Sequence, residues 1–213
     1  MDLTLPLRTL VPSLDASVFS VLVNVEAGMS LAQIARLAPR GSRNGLMAVL
    51  NRHVRDGLVI SEPSNTGSLY RLNRSHVLFP ALIPAAAARR EIVVRLTDAI
   101  SAMDPPPVHS SIFGSFARGG GGVDSDIDVL IVTDNTVDIT ADDWLDQMRG
   151  LADDVRAWTG NPLGAVVMTR QKFRDVVAGE EAIVESWQRD SIGLVGASLG
   201  SLMRDATSSR RGS

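Results

Sequence analysis

The sequence predicts an α+β chain built from two dissimilar parts, and three observations carry this. The first third alternates helical apolar stripes with two short strand-like runs. The remainder alternates strands and helices. A Pro-rich break, Asp104-Pro105-Pro106-Pro107, precedes the first apolar strand of that second part. At 213 residues the chain has room for one or two domains, and 45% apolar residues allow a sizeable core. No apolar run reaches eighteen residues and no basic-then-apolar leader opens the chain, so neither a membrane span nor a secretory signal is expected. The absence of cysteine excludes disulfides and cysteine-ligated zinc, and a cytoplasmic location fits these features. Charge is unevenly shared. Residues 1–77 hold eight Arg against five acidic residues, and residues 78–213 hold thirteen basic against nineteen acidic. A basic first part on an acidic remainder suggests separate tasks.

Ser13 is placed to cap a first helix, Leu14 to Glu26, whose Leu14, Val18, Val21, Leu22 and Val25 recur at helical spacing. Gly28 ends it. Ser30 caps Leu31 to Leu37, and Ser42 caps a third helix, Arg43 to Asp56, with Leu46, Val49, Leu50 and Val54 as its apolar stripe and Gly57 as its stop. Two short strands follow, Leu58 to Ile60 and Leu69 to Leu72, joined by the polar stretch Ser61 to Ser68. Ala85 to Ile100 is rich in helix formers and reads as a connecting helix. The second part then reads as strand Val108–Phe113, a short helix Ser115–Arg118, strand Ile127–Val132, helix 141–159 with Thr140 as its cap, strand 163–169, helices 171–178 and Glu181–Asp190, and a last strand Ile192–Gly196. The polar tail Thr207–Ser213 is expected to be disordered.

The segment from Gly114 to Val132 is the richest in chemistry. Gly114 and Ser115 form a turn after an apolar strand, where exposed backbone N–H groups suit a phosphate. Asp126 and Asp128 stand two apart at the start of the next strand, so their side chains share one face. Two neighbouring carboxylates repel unless a cation lies between them, and a hard divalent ion that also holds phosphate is the usual one. An Asp-rich turn before an ordinary buried strand is the alternative reading. Against it, Asp128 lies inside the apolar run between Ile127 and Val129, where an uncompensated carboxylate is unfavourable. Four successive glycines, Gly119 to Gly122, lose much entropy on ordering and suggest a mobile loop.

Gly114-Ser115, some ten residues, then Asp126-Ile127-Asp128 and Val129 to Val132 resemble the DNA polymerase beta-type nucleotidyltransferase superfamily, in particular its minimal members. The resemblance implies a small mixed-sheet domain. It gives Asp126 and Asp128 the role of catalytic Mg²⁺ (or Mn²⁺) ligands, and Gly114, Ser115 and Arg118 that of binding the nucleoside triphosphate, although Arg118 also reads as a solvated loop arginine. It further implies a third carboxylate on the strand at 163–169. None is there, and Gly164 or Ala165 stands in its place. Asp138 is a weak substitute because it lies before the intervening helix rather than after it. The family includes antitoxin-type transferases that act on a partner toxin.

The first part resembles the winged helix-turn-helix regulators. That resemblance implies DNA binding, with Arg43 and Asn44 at the start of the third helix reading bases, and Arg40, Ser42, Arg52, Arg55 and Arg71 meeting phosphates. Dimerisation through the same fold is the alternative, and a homodimer is the usual DNA-binding form. His53 reads as a helix-surface residue. The expected organisation is therefore a winged helix-turn-helix domain at 1–77, a connecting helix and linker at 78–107, a nucleotidyltransferase-like domain at 108–206, and the tail. Two functions compete: a DNA-binding transferase, and a regulator whose transferase-like domain senses nucleotide or dimerises without turnover.

Overall fold

The computed structural model describes residues 1–65, 67–179 and 181–208. Its contacts divide the chain into an N-terminal unit, Asp2 with Thr4–Arg90, and a C-terminal unit, Met1 and Leu3 with Glu91–Ser213. The mixed helix and sheet content is that of an α+β protein. The expected connecting segment at 78–107 is shared out: its first part joins the N-terminal unit and its second part the C-terminal unit.

The N-terminal unit runs α1 (Leu7–Leu10), α2 (Asp15–Leu22), β1 (Met29–Ser30), α3 (Leu31–Leu37), α4 (Arg43–Arg55), β2 (Val59–Ser64), β3 (Gly67–Leu72) and α5 (Phe79–Ala86). Ser30 caps α3 in a full capping box with Gln33, and the Ser42 hydroxyl accepts from Gly45 N–H at the start of α4. Ser13 does not cap α2. Its hydroxyl donates to the Asp15 carboxylate, and the cap position is Leu14. The β2–β3 hairpin is longer than the sequence suggests. Pairing runs from Val59↔Leu72 to Ser64↔Gly67, so the polar stretch is mostly strand. Sheet order β1-β3-β2 puts β2 at an edge, where Pro63 is tolerated because its missing N–H faces no partner strand. Val18, Leu22, Ile34, Leu46, Leu50 and Leu72 close the core of this unit.

The C-terminal unit begins within α6 (Ala88–Ser101). It continues with β4 (His109–Phe113), α7 (Gly114–Ala117), β5 (Ile127–Thr133), α8 (Asp142–Thr159), β6 (Leu163–Thr169), α9 (Arg170–Ala178), α10 (Ala182–Asp190), β7 (Ile192–Gly196) and α11 (Leu199–Ser208). Thr140 is not the cap of α8. Its hydroxyl donates to Asp138 at 2.6 Å, and Ala141 occupies the cap. The expected tail starts inside α11, and residues 209–213 lie outside the described residues.

Sheet order is β6-β5-β4-β7. β5 and β6 are parallel across the α8 crossover, and the other pairs are antiparallel. Strand β5 is central and covered on both faces, which explains its unbroken apolar run. Ile127, Val129 and Ile131 pack with Leu96, Ile100, Trp144 and Val155 of α6 and α8, while Leu130 and Val132 pack with Phe173, Trp187 and Leu202 of α9 to α11. By this alternation Asp128 points to the α9–α11 side, at the end of β5 where that cover thins.

Candidate functional site

The two aspartates enter from the start of β5. Asp126 is exposed and just precedes the strand; Asp128 is half-buried within it. Two glycines make room for them. Gly114 has φ +72, and a Cβ placed on it would lie 2.2 Å from Asp128 Oδ2. Gly164 is paired with Asp128 in the parallel β5–β6 register. A Cβ there would lie 2.9 Å from Asp128 Oδ1 and 3.8 Å from Asp126 Oδ2. Both carboxylates therefore converge on one point in front of Gly164. That is also where the sequence resemblance expects a third carboxylate, and the strand offers no side chain. Burial pushes the Asp128 carboxyl above the usual carboxylate range, the Asp126 charge adds to the rise, and Arg118 offsets part of it.

The glycine-rich loop is tied down more than its composition suggests. Gly120 N–H donates to Ser115 O at 2.8 Å, and Gly122 N–H donates to Ser125 Oγ at 2.9 Å. Fully buried Asn161 reaches the loop from the β6 side. Its Nδ2 donates to the carbonyls of Gly122, Val123 and Ser125 at 3.0–3.2 Å, and its Oδ1 accepts from the Met1 amino nitrogen at 2.6 Å. One carboxamide thus holds the stretch leading into Asp126. Gly119 and Gly121, at φ +84 and +106, supply the left-handed backbone this path needs. The Ser115 hydroxyl makes no hydrogen bond to a described residue. Arg118 is not simply solvated: its Nη1 donates to Asp190 Oδ2 at 3.3 Å, and Arg189 Nε donates to the same oxygen at 2.8 Å. These bonds hold the Asp190 carboxyl below the usual range, the one from Arg189 contributing most.

Sequence reasoning missed Asn161 and Asp190. Asn161-Pro162 is a turn dipeptide immediately before a strand and was the available signal. Asp190 lies 72 residues from Arg118 and carries none.

The two carboxylates are hard oxygen donors that would fit one Mg²⁺ or Mn²⁺ ion, whereas the N–H groups of the 114–115 turn can only donate hydrogen bonds and would suit phosphate. Among the described residues no group of three or more His, Cys, Asp or Glu is placed to hold a metal, in keeping with the bare position at Gly164.

In the N-terminal unit Arg40, Ser42, Arg43, Asn44 and Arg55 are exposed, and the four Arg and Asn side chains bond to no other described residue. Arg43 borders a cavity of about 450 Å³ lined also by Ser30, Leu31, Met47, Ser68 and Tyr70 of α3, α4 and β3. Arg52 is ion-paired with Asp15, which is 5% exposed, while its own side chain stays 50% exposed. Arg71 is held by Glu62 at 2.8 Å across the hairpin. His53 is not a surface residue: its side chain is 14% exposed, bonds Asp15 through Nε2, and packs 4.7 Å from the Phe19 ring. Burial pushes the Asp15 carboxyl up, but hydrogen bonds from Ser13, Arg52 and His53 together outweigh it and hold it well below the usual range.

Residues 94–192 match the family model described as "Nucleotidyltransferase domain". No curated protein matches the chain. Among solved structures, similarity is found to a crystal structure of a toxin–antitoxin with AMP-PNP, at 14% identity and TM-score 0.35, covering 57% of this chain and 86% of that one. A second is TrmBL2, an archaeal chromatin protein whose structure is described as showing a novel mode of DNA binding, at 11% identity and TM-score 0.27, covering 82% of this chain and 72% of that one. At these scores neither likeness specifies a fold or a function.

Proposed function

We propose that this protein, which carries a nucleotidyltransferase domain at 94–192, is a DNA-binding regulator whose transferase-like site binds a nucleoside triphosphate with Mg²⁺. The observation that carries the reading is the convergence of Asp126 and Asp128 on one point in front of Gly164, beside the Gly114 turn. In this reading Gly114 and Ser115 bind the distal phosphates through backbone N–H and hydroxyl, and Arg118 adds a charge-assisted contact. Asp126 and Asp128 would hold the cation. Mg²⁺, when bound, supplies the positive charge that lets a triphosphate approach two carboxylates. The bare Gly164 position favours binding and sensing over turnover, because the attacking oxygen of a transfer reaction also needs a ligand set to activate it.

The N-terminal unit is read as a winged helix-turn-helix. Helices α2 to α4, a three-stranded sheet and an exposed β2–β3 hairpin support this, as do the exposed Arg40, Arg43, Asn44 and Arg55 around α4, whose side chains bond to no described residue.

Titrating the full chain with ATP, CTP, GTP and UTP, with Mg²⁺ and with EDTA, tests the site. Metal-dependent binding that Asp128→Ala abolishes is the expected result; binding indifferent to Mg²⁺ and to Asp128 would remove the assignment. Nucleotides labelled at the alpha-phosphate decide between sensing and transfer. Asp128-dependent labelling of protein, RNA or a candidate toxin partner would replace the sensing reading with a transferase.

A further inference from the structure

Arg118 does not stand alone beside the carboxylate pair, because the sheet brings a second basic segment to it. Ile192 of β7 pairs with Ile112 of β4, two residues before Gly114, so the end of α10 lies next to the Gly114 turn. Packing fixes it there. Trp187 of α10 is fully buried, meets the Phe113 ring edge-on at 6.2 Å and stacks on Phe173 at 5.8 Å. Asp190 closes α10 about one helical turn after Trp187.

Asp190 Oδ2 accepts from Arg118 Nη1 at 3.3 Å and from Arg189 Nε at 2.8 Å. The Arg189 bond by itself is a local contact between neighbours. The same oxygen reaching across 72 residues to Arg118 is what sets the two guanidiniums side by side. The Asp190 side chain is 15% exposed, against 45% for Arg118 and 63% for Arg189, so the carboxylate is the fixed member and the two cations face solvent. Each arginine spends one nitrogen on it. Nη2 of Arg118 and both terminal nitrogens of Arg189 bond to no described residue. Glu185, one turn earlier on α10, acts on Arg189 only through space.

The charges are also ordered. Arg118 lies close enough to draw the Asp128 carboxyl down, and Arg189 lies too far out to do so. Arg118 is therefore the inner cation and Arg189 the outer one. A guanidinium presents its N–H groups in a planar fork that matches phosphate oxygens. A chain of phosphates starting at the Asp126–Asp128 pair offers an anionic group at each step, whereas a lone phosphate offers one at a single step.

We propose that Arg189 is a further binding residue of the nucleotide site, held with Arg118 on the Asp190 carboxylate, and that the two guanidiniums together select the terminal phosphate of a triphosphate. Asp190 is the positioning residue of this pair. The inference rests on the reading of Asp126 and Asp128 as a Mg²⁺–nucleotide site.

Calorimetry of the full chain with ATP, ADP and AMP in Mg²⁺ tests it, with inorganic tripolyphosphate as a probe that carries no base. Arg189→Gln should weaken ATP and tripolyphosphate by about tenfold, some 1.4 kcal/mol, and leave ADP within about threefold. Asp190→Ala should erase the same preference for ATP, because both guanidiniums lose their anchor. Asp190→Asn, which keeps an acceptor oxygen, should retain it. An unchanged urea midpoint by tryptophan fluorescence in Arg189→Gln separates lost binding from lost folding. Equal losses for ATP and ADP in Arg189→Gln would overturn the proposal, as would a preference for ATP that survives both Arg189→Gln and Asp190→Ala. Wild-type binding that is absent, or indifferent to Asp128→Ala, would remove the site and this inference with it. Asp128-dependent binding indifferent to Arg189 would remove this inference alone.

Discussion

Replacing three glycines by alanine, one at a time, separates backbone strain from displacement of Asp128. Gly119→Ala meets only strain. Its φ is +84 and nothing lies within 4 Å of the new Cβ, so a loss of about 1–2 kcal/mol is expected from the left-handed conformation. Gly114→Ala meets strain at φ +72 and a Cβ 2.2 Å from Asp128 Oδ2. Overpacking adds about 1–3 kcal/mol to the strain, unless the carboxylate swings away. Gly164→Ala has ordinary φ, and its Cβ meets Asp128 Oδ1 at 2.9 Å. There the gain of about 0.5–1 kcal/mol from removing a strand glycine opposes the crowding, and the net change should be small. Trp144, Trp158 and Trp187 are the only tryptophans and all lie in the C-terminal unit, so intrinsic fluorescence during urea unfolding reports on that unit. Stability should fall in the order Gly164→Ala, Gly119→Ala, Gly114→Ala. Mg²⁺-dependent nucleotide binding should sort differently: weakened by about tenfold or more, some 1.4 kcal/mol, in Gly114→Ala and Gly164→Ala, and kept in Gly119→Ala. Gly119→Ala losing as much binding as the other two would refute the reasoning, because the shared cause would then be the loop and not the Asp128 carboxylate.

Asn161→Ala leaves three loop carbonyls without their donor. At about 0.5–1.5 kcal/mol per hydrogen bond, a loss of a few kcal/mol is expected in the same urea measurement, together with weaker nucleotide binding as Asp126 loosens. Arg43→Ala or Asn44→Ala should lower DNA affinity in a salt-dependent gel-shift or anisotropy assay and leave stability unchanged. Arg52→Ala should instead lower the stability of the N-terminal unit, since it strips Asp15 of a partner. Equal DNA defects without destabilisation in Arg52→Ala would contradict a stabilising role for the Arg52–Asp15 pair. Asp15 also sets a pH dependence. Its folded pKa is depressed from 3.8, so its stabilisation is complete above that value and fades as pH falls through the lower folded value. Hydrogen exchange over residues 4–90 should show the wild-type advantage over Asp15→Asn shrinking as pH drops below about 4, near the ordinary Asp pKa.

The sequence by itself determined what neighbours in the chain decide. Ser30 and Ser42 cap their helices because the accepting N–H lies three residues on. The Asp126–Asp128 spacing places both carboxylates on one side, and an acid-free run at 163–169 already shows that β6 contributes no carboxylate. Some local readings failed where a competing partner was equally near, as with Ser13 donating to Asp15 and Thr140 to Asp138. The tertiary structure alone decided which residue of β6 faces the pair, because the parallel register sets Gly164 and not Ala165 opposite Asp128. It likewise decided that Asn161 clamps the glycine loop, that Asp190 reaches Arg118 from 72 residues away, and that Arg52 pairs with Asp15 across 37. Capping and strand alternation act over two to four residues and are written in composition and spacing. Strand register and buried polar pairing are settled only when distant elements pack, since the burial that makes an unpaired Asn or Asp unfavourable does not exist in the unfolded chain.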